Sequence, residues 1–505
     1  MKLFQNMILN YLGQISNIIF LLISTPLFLS YFGGEKYGLF SFFAMSQLII
    51  SMFDLGLTPA FGRQIAYKRG SEDSQKYVEI LTNALNQVFL IFSAIIFIFF
   101  TLMSGWLVEE WIISQDINTS YLRHAVIIIA VVVSIRFYSG LFRSGLNGLE
   151  DQAWLNIIDI ITSFAKYILP LLIFEFFENF DFILYLYFNI MIFLTEALII
   201  RGRFVRQTNI RLSPLFSYKI DIKPILVITP FALSCAYSAI LWIGVSQMDK
   251  FVLSGTLTLE KFGHFSIMTL IAGAIPLLSM PITKAILPRM SFLFGLKRLQ
   301  DLELIYRLAS RVCVAVCGTA MLSLIFFSEI ILYAWTGDKS LTLWIIEFLP
   351  WYLIGNFIIA VSSLQFYLQS SFGDLKLHTI AVTFTSLLQI PLLFYFATKF
   401  GIMGVGIFIT VFRTSWFLIW SFVIHNKFLP QLHWNWLLKD VCLTLLIPFV
   451  SFITLLEVSK NFPSVGLFNR VDTIVLLSVL ICILSVLLTS LSSIKHLLKM
   501  EKAKT

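Results

Sequence analysis

The chain has 505 residues, 58% of them hydrophobic and only 13% charged, with a mean hydropathy of +0.88. A soluble domain carries roughly 25% charged residues, and an outer-membrane barrel alternates apolar and polar residues in runs of about ten; this sequence does neither. The net charge of +8 falls mostly in loops between apolar runs, which fits membrane orientation rather than nucleic-acid binding.

Apolar windows of about 20 residues, enough to cross a bilayer, recur from end to end. They place spans at residues 8–31, 37–61, 80–106, 122–145, 153–175, 181–201, 225–247, 262–286, 305–329, 341–368, 377–398, 402–425, 438–457 and 471–493. The expected fold is therefore an all-α polytopic membrane protein of about 14 transmembrane helices. The first run opens with Asn10 and Gln14 and lacks a small-residue cleavage site, so it reads as a span and not as a signal peptide. An even count puts both termini on one side. Arg63, Lys68, Arg69 and Lys76, the loop from Arg201 to Lys223, then Lys284, Arg289, Lys297 and Arg298 all lie on that side, with the Lys-rich tail. By the positive-inside rule both termini are cytoplasmic.

One stretch returns. Glu35-Lys36-Tyr37-Gly38-Leu39-Phe40-Ser41 reappears 225 residues later as Glu260-Lys261-Phe262-Gly263-His264-Phe265-Ser266, with five of the seven residues identical. Each copy lies between long apolar segments and leads to a basic end, Arg63 in one and Lys284 with Arg289 in the other. That is the sign of a transporter built from two halves. Residues 1–222 form the expected N-lobe of six spans with a basic linker, 223–430 the C-lobe of six more, and 431–505 two further spans and a tail. Six is even, so the lobes are parallel repeats around a central cavity. No external loop exceeds roughly 20 residues, too few for a catalytic domain, so an enzyme is not expected.

A charged side chain in hydrocarbon costs at least about 2.5–3.5 kcal/mol on insertion scales, so those present face a cavity or a partner. The first span carries Asn10, Gln14 and Asn17; the second Gln47, Ser51 and Asp54; the third Asn83, Asn86 and Gln87. The fourth places Arg136 and Arg143 seven apart, and the fifth places Asp159 and Lys166 seven apart around Ser163. Each set shares one helix face. For the uncharged stripes, interhelical hydrogen bonding and cavity lining stand as equal readings.

Arg136 and Lys166 sit deep and point to a cavity. Lys166 also has Asp159 two turns away as a purely structural partner, and Arg143 is near enough to the cytoplasmic end to snorkel. In the second half Arg307 and Arg311 read as interface anchors and Arg413 is deep, while Glu196 reads as the partner of Arg201. Basic residues inside a cavity suit an anionic substrate. The five cysteines, Cys235, Cys313, Cys317, Cys442 and Cys482, fall in apolar runs without His or carboxylate companions, so no metal is expected. No nucleotide-binding or nucleophile motif occurs, and no cofactor is expected.

Tyr37-Gly38-Leu39-Phe40, leading through Phe53-Asp54-Leu55-Gly56-Leu57 to Gly62-Arg63-Gln64-Ile65-Ala66, resembles the opening of bacterial polysaccharide-repeat flippases of the Wzx type. Gln247-Met248-Asp249-Lys250-Phe251-Val252-Leu253-Ser254 looks like the start of that family's second lobe, and Gly401-Ile402-Met403-Gly404-Val405-Gly406 is similar to its glycine-opened twelfth span. The resemblance covers the whole chain in span number, lobe arrangement and positive loops. It implies movement of an undecaprenyl-diphosphate-linked oligosaccharide from the cytoplasmic to the outer leaflet of a bacterial inner membrane, for O-antigen, capsule or exopolysaccharide. It also implies membrane lipids, a polysaccharide polymerase and a chain-length regulator as partners. The family's cation-lined cavity maps onto Arg63, which lies in the matching motif. Cavity logic adds Arg136, Arg143, Lys166, Lys284 and Arg289, with Asp54, Asp159 and Asp249 as candidates for a coupling ion. The alternatives are a cation-coupled multidrug exporter of the same superfamily and a membrane polymerase or ligase. Composition does not separate the first reading from a peptidoglycan-precursor flippase.

Overall fold

The computed structural model describes residues 2–68, 74–176, 181–212, 223–461 and 471–502. In hydrocarbon no water reaches a bare N–H or C=O, and a helix satisfies both within its own segment. The described residues are accordingly almost all helical, with one isolated bridge between Ile113 and Thr258. In chain order the helices are α1 (Lys2–Ile50), α2 (Leu57–Lys68), α3 (Ser74–Trp106), α4 (Thr119–Gly148), α5 (Gln152–Tyr167), α6 (Leu169–Phe176), α7 (Phe182–Thr208) and α8 (Lys223–Ser254). They continue as α9 (Leu259–Gly295), α10 (Leu299–Phe326), α11 (Ser328–Thr336), α12 (Lys339–Ser371), α13 (Lys376–Phe428), α14 (His433–Asn435), α15 (Leu443–Asn461) and α16 (Val471–Lys502).

Among the described residues, 11 helical stretches are long and apolar enough to cross a membrane. Two of these contain a break. A straight run of the 53 residues of α13 would extend about 80 Å at roughly 1.5 Å per residue, far beyond the roughly 30 Å hydrocarbon core. Gly401 interrupts it at φ +59°, and Gly33 interrupts α1 at φ +80°, a region that glycine enters without a Cβ penalty. Both breaks fall where the hydropathy windows left a gap, at 31–37 and 398–402. Other edges differ from expectation. The second expected span, 37–61, stops at Ile50, and a short 3-10 turn (Ser51–Asp54) with positive φ at Leu55 and Gly56 leads into α2. Pro26 lies inside α1.

The chain divides into two compact units, Met1–Gly263 and His264–Thr505. In the first, α4 packs on α3, α2 and α7, α5 packs on α1, and α8 packs on α2. Rings of Phe28, Phe32, Phe40, Phe174 and Tyr185 fill the space between α1, α6 and α7. In the second, α10 is the buried centre, flanked by α12, α15 and α16. There Arg307 and Arg311 both reach Asp440, whose side chain is fully buried, at 2.7 and 2.5 Å. Arg311 also donates to the Thr489 carbonyl at 2.5 Å. The expected interface anchors are thus an internal clamp.

Within the first unit, Gly34 and Gly38 meet Leu259 and Gly263. A Cβ on Gly38 would lie 2.0 Å from the carbonyl oxygen of Leu259, while one on Gly263 would lie 2.9 Å from that of Gly34 and 3.0 Å from the Gly38 nitrogen. Positions 34 and 259 correspond under the offset of 225, as do 38 and 263. The contact is therefore reciprocal, backbone against backbone, the close approach that small residues permit between membrane helices. The buried Glu35 carboxylate beside it accepts from the N–H groups of Gln115, Asp116 and Ile117 and from Ser114 Oγ. A Gly38→Val variant must part these backbones and is expected to lose about 2 kcal/mol or more, in the range of overpacked cores. Gly202→Ala, where an added Cβ meets nothing within 4 Å, is the control. Tryptophan-fluorescence melting of both variants in detergent measures the difference, and equal midpoints would refute the close-contact account.

Candidate functional site

The first unit contains a cavity of about 410 Å³ whose lining comes from α1, α4, α5 and α7. From α1 come Asn17 and Gln47, on either side of the Gly33 break. Two helical turns separate Arg136 from Arg143, so α4 presents both on one face. From α5 come Asn156, Asp159, Thr162, Ser163, Lys166 and Tyr167, a stripe at spacings of three and four; α7 supplies Phe193 and Glu196 one turn apart. The three cations outnumber the two carboxylates, so the lining is net positive.

The charges are not paired evenly. Arg143 holds both carboxylates: one Nη meets Asp159 Oδ1 at 2.5 Å and the other meets Glu196 Oε1. This corrects two expectations, since Arg143 does not snorkel and Asp159 pairs with Arg143 rather than with Lys166. Glu196 is 5% exposed and pairs with Arg143, not with Arg201. Among the described residues, no carboxylate lies within ion-pair distance of Arg136 or Lys166.

These two cations rest instead on rings. The Arg136 guanidinium lies 4.5 Å from the centroid of Phe193. Lys166 Nζ lies 4.8 Å from Tyr167, 5.6 Å from Phe40, 5.6 Å from Phe43 and 5.9 Å from Phe193. Ring faces stabilise a cation while leaving its donors unsatisfied by oxygen. Gln47 Nε2 is likewise buried without a hydrogen-bond partner among the described residues, and Asn17 Oδ1 accepts from Ser163 Oγ at 3.2 Å. The lining thus offers spare donors and a positive charge, the chemistry that receives a phosphate or carboxylate.

Other expected site residues lie elsewhere. Arg63, on α2, stacks 4.4 Å from the Phe231 ring of α8 and is not part of this lining. Asp54 Oδ1 accepts the Gly56 N–H at 2.8 Å, which fixes the turn into α2. Asp249 Oδ1 accepts the Lys250 N–H at 2.8 Å. Arg289 belongs to the second unit and lies 5.6 Å from the Phe292 ring; the Lys284 side chain falls outside the described residues. Among the described residues no group of His, Cys, Asp and Glu is placed to hold a metal ion.

Sequence reasoning placed Glu196 beside Arg201 rather than in this lining, and it missed Phe193 and Tyr167. Glu196 is the one carboxylate within the seventh helix's apolar run, and that isolation was the available signal. Arg143→Met leaves two carboxylates facing each other without a cation and is expected to cost about 3 kcal/mol, as breaking a buried pair does. Adding Asp159→Asn and Glu196→Gln should restore most of the loss. Melting of the single and triple variants tests the bridge, and a single variant as stable as the wild type would refute it.

No family model matches the chain, and no curated protein matches it in sequence. Solved structures share its fold. The lipid II flippase MurJ, in an inward closed conformation, aligns with a TM-score of 0.67 at 18% identity, over 97% of this chain and 100% of that one. An inward-facing multidrug resistance MATE transporter of the MOP superfamily aligns at 0.61 and 16% identity, over 82% and 95%. The MATE multidrug transporter DinF-BH aligns at 0.54 and 17%, over 83% and 95%. The chain therefore has the fold of MOP-superfamily transporters and is a multi-pass membrane protein.

Proposed function

We propose that this chain is a flippase that moves an undecaprenyl-diphosphate-linked oligosaccharide from the cytoplasmic to the outer leaflet of a bacterial inner membrane, for a cell-surface polysaccharide. The observation that carries the reading is the pair of cations, Arg136 and Lys166, that line a cavity without a carboxylate partner among the described residues. A diphosphate supplies the oxygens they lack, and Gln47 supplies a further donor. The rings of Phe193 and Tyr167 offer apolar faces for a sugar, while the lipid tail stays in the bilayer. The architecture proposed is two parallel lobes of six spans with two more at the C-terminus, about 14 in all. The breaks at Gly33 and Gly401 support the higher count. Both termini are cytoplasmic in this reading, and the lobes alternate access around the bound headgroup.

The neighbour named a lipid II flippase supports a lipid-linked cargo, and the MATE neighbours support a drug exporter as the rival. Cationic drugs would want free carboxylates. Asp159 and Glu196 are both taken by Arg143, which favours the anion.

A leaflet assay decides between them. Liposomes carry the protein and a fluorescent undecaprenyl-diphosphate oligosaccharide, and externally quenchable label is followed. Wild type is expected to equilibrate the label. Arg136→Ala and Lys166→Ala should each be slower by about 10-fold or more, since a charge-assisted hydrogen bond contributes about 1.5–3 kcal/mol. If no lipid-linked sugar moves and organic cations are exported instead, the exporter reading replaces this one.

A further inference from the structure

We propose that this cavity selects its cargo by the charge of the sugar: the sugar beside the diphosphate carries no acid group, and Asp159 is the residue that rejects acidic ones. The inference rests on the proposed lipid-linked cargo and names the class of sugar within it.

Helices α4 and α5 are joined by the short turn 149–151 and form a hairpin, across which Arg143 meets Asp159. Arg136 lies seven residues before Arg143, and Lys166 lies seven after Asp159. Both therefore sit about 10 Å further from the turn, at 1.5 Å per residue. Helix α7 keeps the same order: Glu196 bonds Arg143, while Phe193, one turn earlier, faces Arg136 and Lys166. The lining thus has two levels. The far one holds two cations on ring faces, with no carboxylate in ion-pair distance among the described residues. The near one holds a single cation and two carboxylates, which leaves it one charge negative. Between them lie uncharged Thr162 and Ser163, with Asn17 bonded to Ser163.

A diphosphate diester carries two negative charges, and the far level offers two cations. Its charge is met there in full. From that level the polar stripe of α5 runs back toward the turn, whereas onward the chain enters the largely apolar α6. Sugar hydroxyls follow the polar stripe and arrive at Asp159. Its side chain is 39% exposed, and only its Oδ1 meets Arg143. The second oxygen accepts from a sugar hydroxyl. A sugar carboxylate has no proton to donate, and it finds no cation to spare, because Arg143 is shared by Asp159 and Glu196. It sets like charge against like. The bridge stays closed throughout; its net charge does the selecting.

Calorimetric titration of the full-length protein in detergent tests this with two ligands, undecaprenyl-diphosphate-linked glucose and undecaprenyl-diphosphate-linked glucuronic acid. They differ in one carboxylate. Wild type is expected to bind the glucose form about 10-fold tighter or more, since like charges across a contact suppress the wrong partner. Asp159→Asn removes the charge and keeps an acceptor for Arg143, so it should shrink that ratio to about 3-fold or less, chiefly by tightening the acidic form. Equal affinities in wild type, or a tighter acidic form, overturn the proposal and leave the flippase reading intact. Binding of neither ligand removes the flippase reading, and the proposal with it. Should Asp159→Asn fail to fold, the methyl ester of the glucuronic form decides in wild type, because it keeps the bulk and loses the charge. An ester that binds like the glucose form upholds the proposal. One that binds as weakly as the acid shows exclusion by size and overturns it.

Discussion

The bridge from Arg143 to Asp159 and Glu196 is the interaction on which the rest of the first unit depends. It joins α4, α5 and α7 at one point inside the bundle, while the other polar links among them, His124 to Tyr187 and Arg203 to Asp151, lie nearer the helix ends. In a bilayer, lipid tails compete with apolar contacts on equal terms, and polar pairs set the register. Satisfying both carboxylates with one guanidinium has a second effect. It leaves Arg136 and Lys166 as the cations without acid partners among the described residues, held open by the faces of Phe193, Tyr167, Phe40 and Phe43.

The second unit uses the opposite arrangement. There two arginines converge on one fully buried carboxylate, Asp440. Around it Tyr306 meets His425 at 2.9 Å, His425 meets His433 at 3.2 Å, and Trp436 donates to Ser310 at 2.8 Å. Every partner in that cluster is internal, and Asp440 joins the segment leading into α15 to α10, with Arg311 reaching on to α16. A satisfied network of this kind rigidifies. An incompletely satisfied one, as in the first unit, is able to accept a ligand.

Much of this was legible from the chain alone, where the information lies along one helix. Arg136 and Arg143 at a spacing of seven, and the stripe from Asp159 through Ser163 to Lys166, predicted a shared polar face, and the structure gathers all of them. The gaps around Gly33 and Gly401 were visible as dips in hydropathy. What a linear pattern cannot carry is the choice of partner across helices. Glu196 has Arg201 five residues along its own helix, yet its partner comes from α4. Asp159 has Lys166 two turns away, yet Arg143 takes it. Asp440 gave no signal beside Lys439, because Arg307 and Arg311 reach it from more than a hundred residues away. Arg63, singled out by motif, stacks on a ring on α8, a contact that spacing within α2 could not foretell.

The reciprocal contact of the repeated seven residues has a consequence for how the two copies change over time. A glycine that touches the backbone of its own counterpart obeys the geometry of an isologous interface, folded into a single chain. The first copy then cannot drift independently of the second, because any bulk added at Gly38 is met by the strand of backbone around Leu259, and bulk at Gly263 by that around Gly34.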